Sequence, residues 1–151
     1  MGDTAKHGAS VHVRAMTVDD IDGVLAIDKE FVGSQRLATY ADPRDDYLGG
    51  ELDVSCVAEA DGIIVGFALG RLKDSPHGQS DTGWLEAIGV LPDYQRQGIG
   101  TWLVEAFADR CLSKGAKAAR IRVSWNDESL LALLRSLGFS ADNITEFQKM
   151  L

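Results

Sequence analysis

The chain has 151 residues, 45% of them hydrophobic and 25% charged, with a formal net charge of −8. That length and balance suit one globular domain with a sizeable core, and no run approaches the roughly 18 apolar residues of a membrane span. The acidic excess excludes non-specific nucleic-acid binding, which depends on basic stripes. At first sight it also opposes an anionic ligand. Charges farther away than about 10 Å are screened at physiological salt, however, so local donors decide, and the global charge favours an amine-bearing partner.

Residues 1–10 are polar and lack an apolar core, so they are expected to be a loose tail rather than a secretory signal, with a single domain over 11–151. Val11 to Met16 alternates and predicts a strand. Asp19 and Asp20 then open a helix, where acids suit the dipole, and Ile21, Val24, Leu25, Ile27 and Phe31 follow at helical spacing. Gly33 to Asp53 reads as a loop with a short helix, Asp45 to Leu52, after the stop at Pro43. Its five acids and two bases mark either a solvated connector or an acceptor-binding surface.

Val54 to Ala60 and Ile63 to Leu72 are strand-like, joined by Asp61-Gly62, a strong hairpin signal because both turn residues must take positive φ. A polar loop, Asp74 to Thr82, leads to the strand Trp84 to Leu91. A helix follows, ending at Lys114-Gly115 with a cation in its last turn and a glycine at C′. Ala118 to Val123 is a fifth strand, Asp127 to Leu137 a leucine-rich helix closed by Gly138, and Ile144 to Met150 a last strand. The order β-α-(α)-β-β-β-α-β-α-β is α/β without strict alternation. It predicts a mixed sheet flanked by helices, an antiparallel meander followed by a parallel βαβ unit.

The organising stretch is Val90-Leu91-Pro92-Asp93-Tyr94-Gln95-Arg96-Gln97-Gly98-Ile99-Gly100-Thr101, a strand feeding a glycine-rich turn that opens a helix. Backbone N–H groups at a helix N-terminus lack intrahelical partners and sit at the positive end of the dipole. Gly98 and Gly100 carry no Cβ, so a phosphate can come close, and Arg96 adds a cation able to fork onto it. A P-loop would need Lys and Ser/Thr after the last glycine, where Thr101-Trp102 stands. The dinucleotide fingerprint would need a third glycine where Leu103 stands.

The pattern Gln95-x-x-Gly98-x-Gly100, with Ile88-Gly89-Val90-x-Pro92-x-Tyr94-x-Arg96 before it and Leu103 after it, resembles motif A of the Gcn5-related N-acetyltransferases (GNAT). The element order is similar to that family's fold from about residue 11 onward. The resemblance implies acetyl-CoA as cofactor, its pyrophosphate on Gln95, Arg96, Gln97, Gly98, Ile99, Gly100 and Thr101. It implies a central mixed sheet splayed between the strands Trp84–Leu91 and Ala118–Val123, with the pantetheine arm pairing along Ile88, Gly89 and Val90 in the gap. Asn126 resembles the family's asparagine that contacts the arm, and Asp127 or Ser129 shares or takes that role because the spacing to Gly138 is one residue longer. Asn126 and Asp127 serve equally as plain helix caps.

Acetyl transfer to an amine needs a proton acceptor, a donor for the developing oxyanion and a way to release the thiolate. Glu86 interrupts an apolar strand four residues before Val90 and is the candidate base; on simple alternation it shares a side of the pleat with Ile88 and Val90. The bland alternative puts it on a solvent face. The resemblance assigns the oxyanion donor to the N–H of Val90. Where many family members carry a leaving-group tyrosine, this chain has Leu134, leaving Tyr40, Tyr47, water or an unassisted thiolate. Cys111 lies far along the helix without a nearby histidine and is not a nucleophile candidate. It and Cys56 read as reduced core thiols of a cytoplasmic protein. His7, His12 and His77 are scattered, so no metal site is expected.

The reading is therefore an acetyl-CoA-dependent N-acetyltransferase using direct transfer in a ternary complex, with a small-molecule or peptide amine as acceptor and no nucleic-acid or membrane partner. The motif run is especially similar to the ribosomal-protein alanine N-acetyltransferases, yet Arg120-Ile121-Arg122-Val123 lacks that subgroup's glutamate. A non-catalytic acyl-CoA sensor is the alternative of another class. Only twelve residues follow Phe139, which predicts an open sheet edge and a homodimer.

Overall fold

A computed structural model describes residues 10–29, 54–73, 81–123, 126–141 and 147–151. In chain order these form β1 (Val11–Ala15), α1 (Ile21–Asp28), β2 (Cys56–Ala60), β3 (Ile63–Lys73), β4 (Thr82–Val90), α2 (Ile99–Ser113), β5 (Ala118–Ile121) and α3 (Glu128–Ser136). Short 3₁₀ turns at Val18–Asp20 and Pro92–Tyr94 precede α1 and α2. The sheet order is β1-β2-β3-β4-β5; the first three pairings are antiparallel and β4–β5 is parallel, so the expected mixed sheet is present. Asp61 and Gly62 take φ of 52° and 80° in the two-residue turn between β2 and β3, as the dipeptide predicts. The parallel return from β4 to β5 needs a crossover, and α2 supplies it.

The sheet separates two apolar clusters. On one face Ile99, Leu103, Val104, Phe107 and Cys111 of α2 pack with Leu72, Leu85 and Val65, and α3 adds Leu134. On the other, Ile21, Val24 and Ile27 of α1 cover Val57, Phe67 and Leu69. Gly70 and Gly83 let α2 settle onto the strands: a Cβ on the first would run into the Phe107 ring, and on the second into the Cys111 sulfur.

Several boundaries differ from the pattern. Val54 and Ser55 precede the strand β2, and Ser55 still meets both neighbouring strands. Its carbonyl accepts from Met16 N–H (3.0 Å), and its hydroxyl accepts from Gly70 N–H (3.1 Å). β4 begins two residues before Trp84 and β5 stops two before Val123. Of the expected last strand, Ile144 to Met150, the described residues Phe147–Met150 are not a strand, and Phe147 and Met150 stand exposed. Phe31, the expected helix Asp45–Leu52 and the tail before Ser10 lie outside the described residues. Among the described residues no helix is long and apolar enough to cross a membrane.

Candidate active site

β4 controls the site through two irregularities. Its register with β3 runs Gly66↔Val90 to Leu69↔Ala87, then resumes at Gly70↔Leu85, leaving Glu86 as the extra residue of a β-bulge. The bulge switches the alternation of side chains. Leu85, Ile88 and Val90 all pack on the α2 face, whereas Ala87 joins the α1 cluster. Glu86 lies with Arg71 on the α1 face, their Oε1 and Nε 3.5 Å apart. Simple alternation, which put Glu86 on one side with Ile88 and Val90, fails here because Glu86 is itself the bulge residue and falls out of the period-two count.

The second irregularity is on the other edge of β4. Its pairing with β5 ends at Leu85↔Ile121, so Glu86–Val90 continue without a β5 partner among the described residues. Leu91 N–H donates to Val65 C=O (2.9 Å), which sets the ladder's alternation. Gly89 and Ala87 therefore turn their backbone groups to β3, and Ile88 and Val90 turn theirs into the gap. Of the three residues expected along the cofactor arm, Ile88 turns its N–H and C=O there and Val90 its N–H, the Val90 carbonyl being met by Gln95 Nε2; Gly89 turns the other way.

The glycine-rich turn follows at once. Gln95 Nε2 donates to Val90 C=O (2.9 Å) and Gln97 Nε2 to Asp93 C=O (3.4 Å), so both side chains brace the turn. Arg96 and Gly98 both take positive φ, 64° and 88°. Gly98 is the N-cap of α2, and the first bond of the helix runs from Trp102 N–H to Gly98 C=O (3.0 Å). The N–H groups of Gly98, Ile99, Gly100 and Thr101 thus stand ahead of the ladder at the positive end of a fifteen-residue helix. The Ile99 side chain is buried, so only its backbone faces the turn, while Arg96 is exposed beside it. The arrangement is a concave set of donors suited to a diphosphate.

α3 closes this end, with Leu133 the nearest neighbour of Gly100. Its cap is Asp127, which accepts from Leu130 N–H (3.1 Å). Asn126 and Ser129 are exposed on either side of that cap. Leu134 is buried in the core, so its position supplies no acid. Burial pushes the Cys111 thiol up to about 11, the charge of Arg110 offsetting a part, and a thiol held protonated is a poor nucleophile. Neither Cys56 nor Cys111 forms a disulfide.

A family model, "Acetyltransferase (GNAT) family", matches residues 22–139. The chain belongs to this family. Among curated relatives of this GNAT chain, the [ribosomal protein bS18]-alanine N-acetyltransferase of Escherichia coli K12 is 38% identical over 64 residues, 42% of this chain and 43% of that protein. L-2,4-diaminobutyric acid acetyltransferase of Nocardia farcinica is 32% identical over 82 residues, 54% of this chain and 40% of that protein. The matched stretches thus span less than half of both relatives' lengths. Among solved structures, the aminoglycoside N-acetyltransferase AAC(6')-Iy in complex with CoA superimposes with a TM-score of 0.77 at 20% identity, covering 97% of this chain and 98% of that one. That likeness establishes the GNAT fold.

Two neighbours of the site escaped the sequence reading. Arg71 meets Glu86, and the Arg122 guanidinium lies over the Trp84 ring, 4.5 Å from its centroid. Both contacts depend on the β3–β4 and β4–β5 registers, which no local pattern carries.

Proposed function

We propose that this GNAT chain transfers the acetyl group of acetyl-CoA directly to a primary amine. The observation that carries the reading is the conjunction of four unladdered amides at the start of α2 with the stretch of β4 at Ile88 and Val90 that has no β5 partner among the described residues. The first suits the pyrophosphate, with Arg96 as a further cation, and the second suits the amide groups of the pantetheine arm. Asn126 and Ser129 remain candidates to meet the arm at the head of α3.

In the transfer, the amine nitrogen forms a bond to the thioester carbon and the carbonyl oxygen becomes an oxyanion. Val90 N–H faces that side and donates to it. Glu86 accepts the amine's proton, directly or through water, and collapse of the intermediate breaks the carbon–sulfur bond. With Leu134 in the core, the thiolate leaves unassisted or takes its proton from water. A thermal-shift assay with acetyl-CoA, followed by a CoA-release screen over peptides, amino acids, polyamines and aminoglycosides, tests the reading. Glu86→Gln is expected to lower kcat at least tenfold, since general-base catalysis contributes about 10²–10⁴, and to leave acetyl-CoA affinity unchanged.

A peptide amino terminus is the second acceptor reading, favoured by the relative named for bS18 alanine. An acyl-CoA sensor is favoured by the buried leucine at the acid position; saturable acetyl-CoA binding with no CoA released from any amine would establish it. We also propose a homodimer, because β1 and β5 are sheet edges among the described residues. A monomeric mass by light scattering at micromolar concentration rejects it.

A further inference from the structure

The head of α2 brings a large aromatic side chain to the phosphate turn. Trp102 stands one turn after Gly98, its N–H bonded to the Gly98 carbonyl (3.0 Å). A helical side chain leans back over the turn before its own Cα, so the indole reaches the N-terminal end of the helix. Beyond the chain neighbours of Gly98, the atom nearest a Cβ built on that glycine is Trp102 Cε2, at 3.9 Å. The ring therefore walls the space that Gly98 leaves open in front of the free amides. It packs against the core on the α2 face, yet it is only half-buried.

The flank on which the ring stands decides what it can meet. Gly100 looks toward Leu133 of α3. Trp102, two residues on, is ~200° round the helix from it and occupies the flank away from α3. CoA is a linear molecule of arm, diphosphate and adenosine. With its arm along β4 and its diphosphate over the open amides, as proposed above, the adenosine is the part that continues past the turn. The face of an indole is the negative pole of its quadrupole and offers a phosphate nothing, whereas a flat base stacks on it. We infer that Trp102 is the platform on which the adenine of CoA stacks, so that the nucleotide end adds to the affinity set by the turn. The inference rests on the placement of the diphosphate at Gly98.

The test titrates the full chain calorimetrically with two ligands: CoA, and pantetheine 4′-diphosphate, which keeps the arm and both phosphates but lacks the adenosine. Trp102→Leu is expected to weaken CoA by about five- to a hundredfold, the range of base–aromatic stacking, and to leave pantetheine 4′-diphosphate unchanged. Trp102→Phe, which keeps a ring to stack on, should bind both ligands much as the parent does. Fluorescence supplies a second readout that does not depend on how well the leucine variant folds. CoA should quench the parent's indole emission, pantetheine 4′-diphosphate should not, and the CoA-dependent change should vanish in Trp102→Phe. Equal weakening of both ligands in Trp102→Leu would mean that the ring only braces the turn or bonds a phosphate, and overturns the inference. So does CoA affinity undiminished in Trp102→Leu, or a quench that persists in Trp102→Phe. Failure of the parent to bind either ligand overturns the placement of the diphosphate instead.

Discussion

Gly98 and Gly100 share a motif but not a job, and alanine at each should separate the two. Gly98 has φ of +88°, where an L side chain costs about 1–2 kcal/mol. The nearest atom to a Cβ there is Trp102 Cε2 at 3.9 Å, so the methyl would stand in the open space before the turn. Gly100 lies within α2 without positive φ, and its Cβ would meet Leu133 Cδ2 at 3.9 Å, an ordinary contact. Alanine in place of glycine in a helix gains up to about 1 kcal/mol. With about 2–4 °C per kcal/mol for a domain of this size, Gly98→Ala should lower Tm by about 2–8 °C, and Gly100→Ala should hold or raise it by a few degrees. Calorimetric titration with CoA should show Gly98→Ala losing at least about tenfold in affinity, or 1.4 kcal/mol, with Gly100→Ala close to the parent. Equal loss at both positions, or undiminished binding by Gly98→Ala, would refute the assignment of the diphosphate to this turn.

Two further outcomes concern the framework. Asp20 is buried and bonded to Arg14 (2.8 and 2.9 Å) and Thr17 N–H (2.8 Å). Burial raises its proton affinity, but those bonds outweigh it and hold the carboxyl below its usual range. Its contribution is thus present above the unfolded value near 3.9 and lost as pH falls through the lower folded value. Asp20→Asn should cost about 2 kcal/mol at neutral pH, and urea midpoints should show the gap to the parent closing only below about pH 4; a gap constant to pH 2 contradicts the assignment. Gly83→Ala should cost about 1–3 kcal/mol by overpacking, and adding Cys111→Ala should restore most of it, because the sulfur is what the new methyl meets. Additive losses in a double-mutant cycle would disprove that contact.

Much of this architecture was legible because its signals are local. The pair Asp61-Gly62 demands its turn, the apolar run before Pro92 announces a buried strand, and Gly98 marks the left-handed entry to α2. What escaped depends on register. Trp84-Leu85-Glu86-Ala87-Ile88 contains no residue that signals a bulge, so period-two counting misplaced Glu86. Asp20 reads as a dipole partner of α1, yet its carboxylate answers Arg14 on β1, whose Nε also reaches Glu59 on β2 (2.9 Å). Of the expected strand Ile144 to Met150, the described residues Phe147–Met150 pair with no strand among the described residues.

The early end of the β4–β5 pairing also bears on how durable the protein is. Beyond Leu85, β4 has no β5 partner among the described residues, so a thioester arm bound there, as proposed above, would act as a substitute strand. A ligand bound only by the folded form adds RT ln(1 + [L]/Kd), about 2.7 kcal/mol at a hundredfold excess over Kd. Resistance to unfolding would then rise and fall with acyl-donor supply, and a starved cell would hold a looser, more readily degraded copy than a well-fed one.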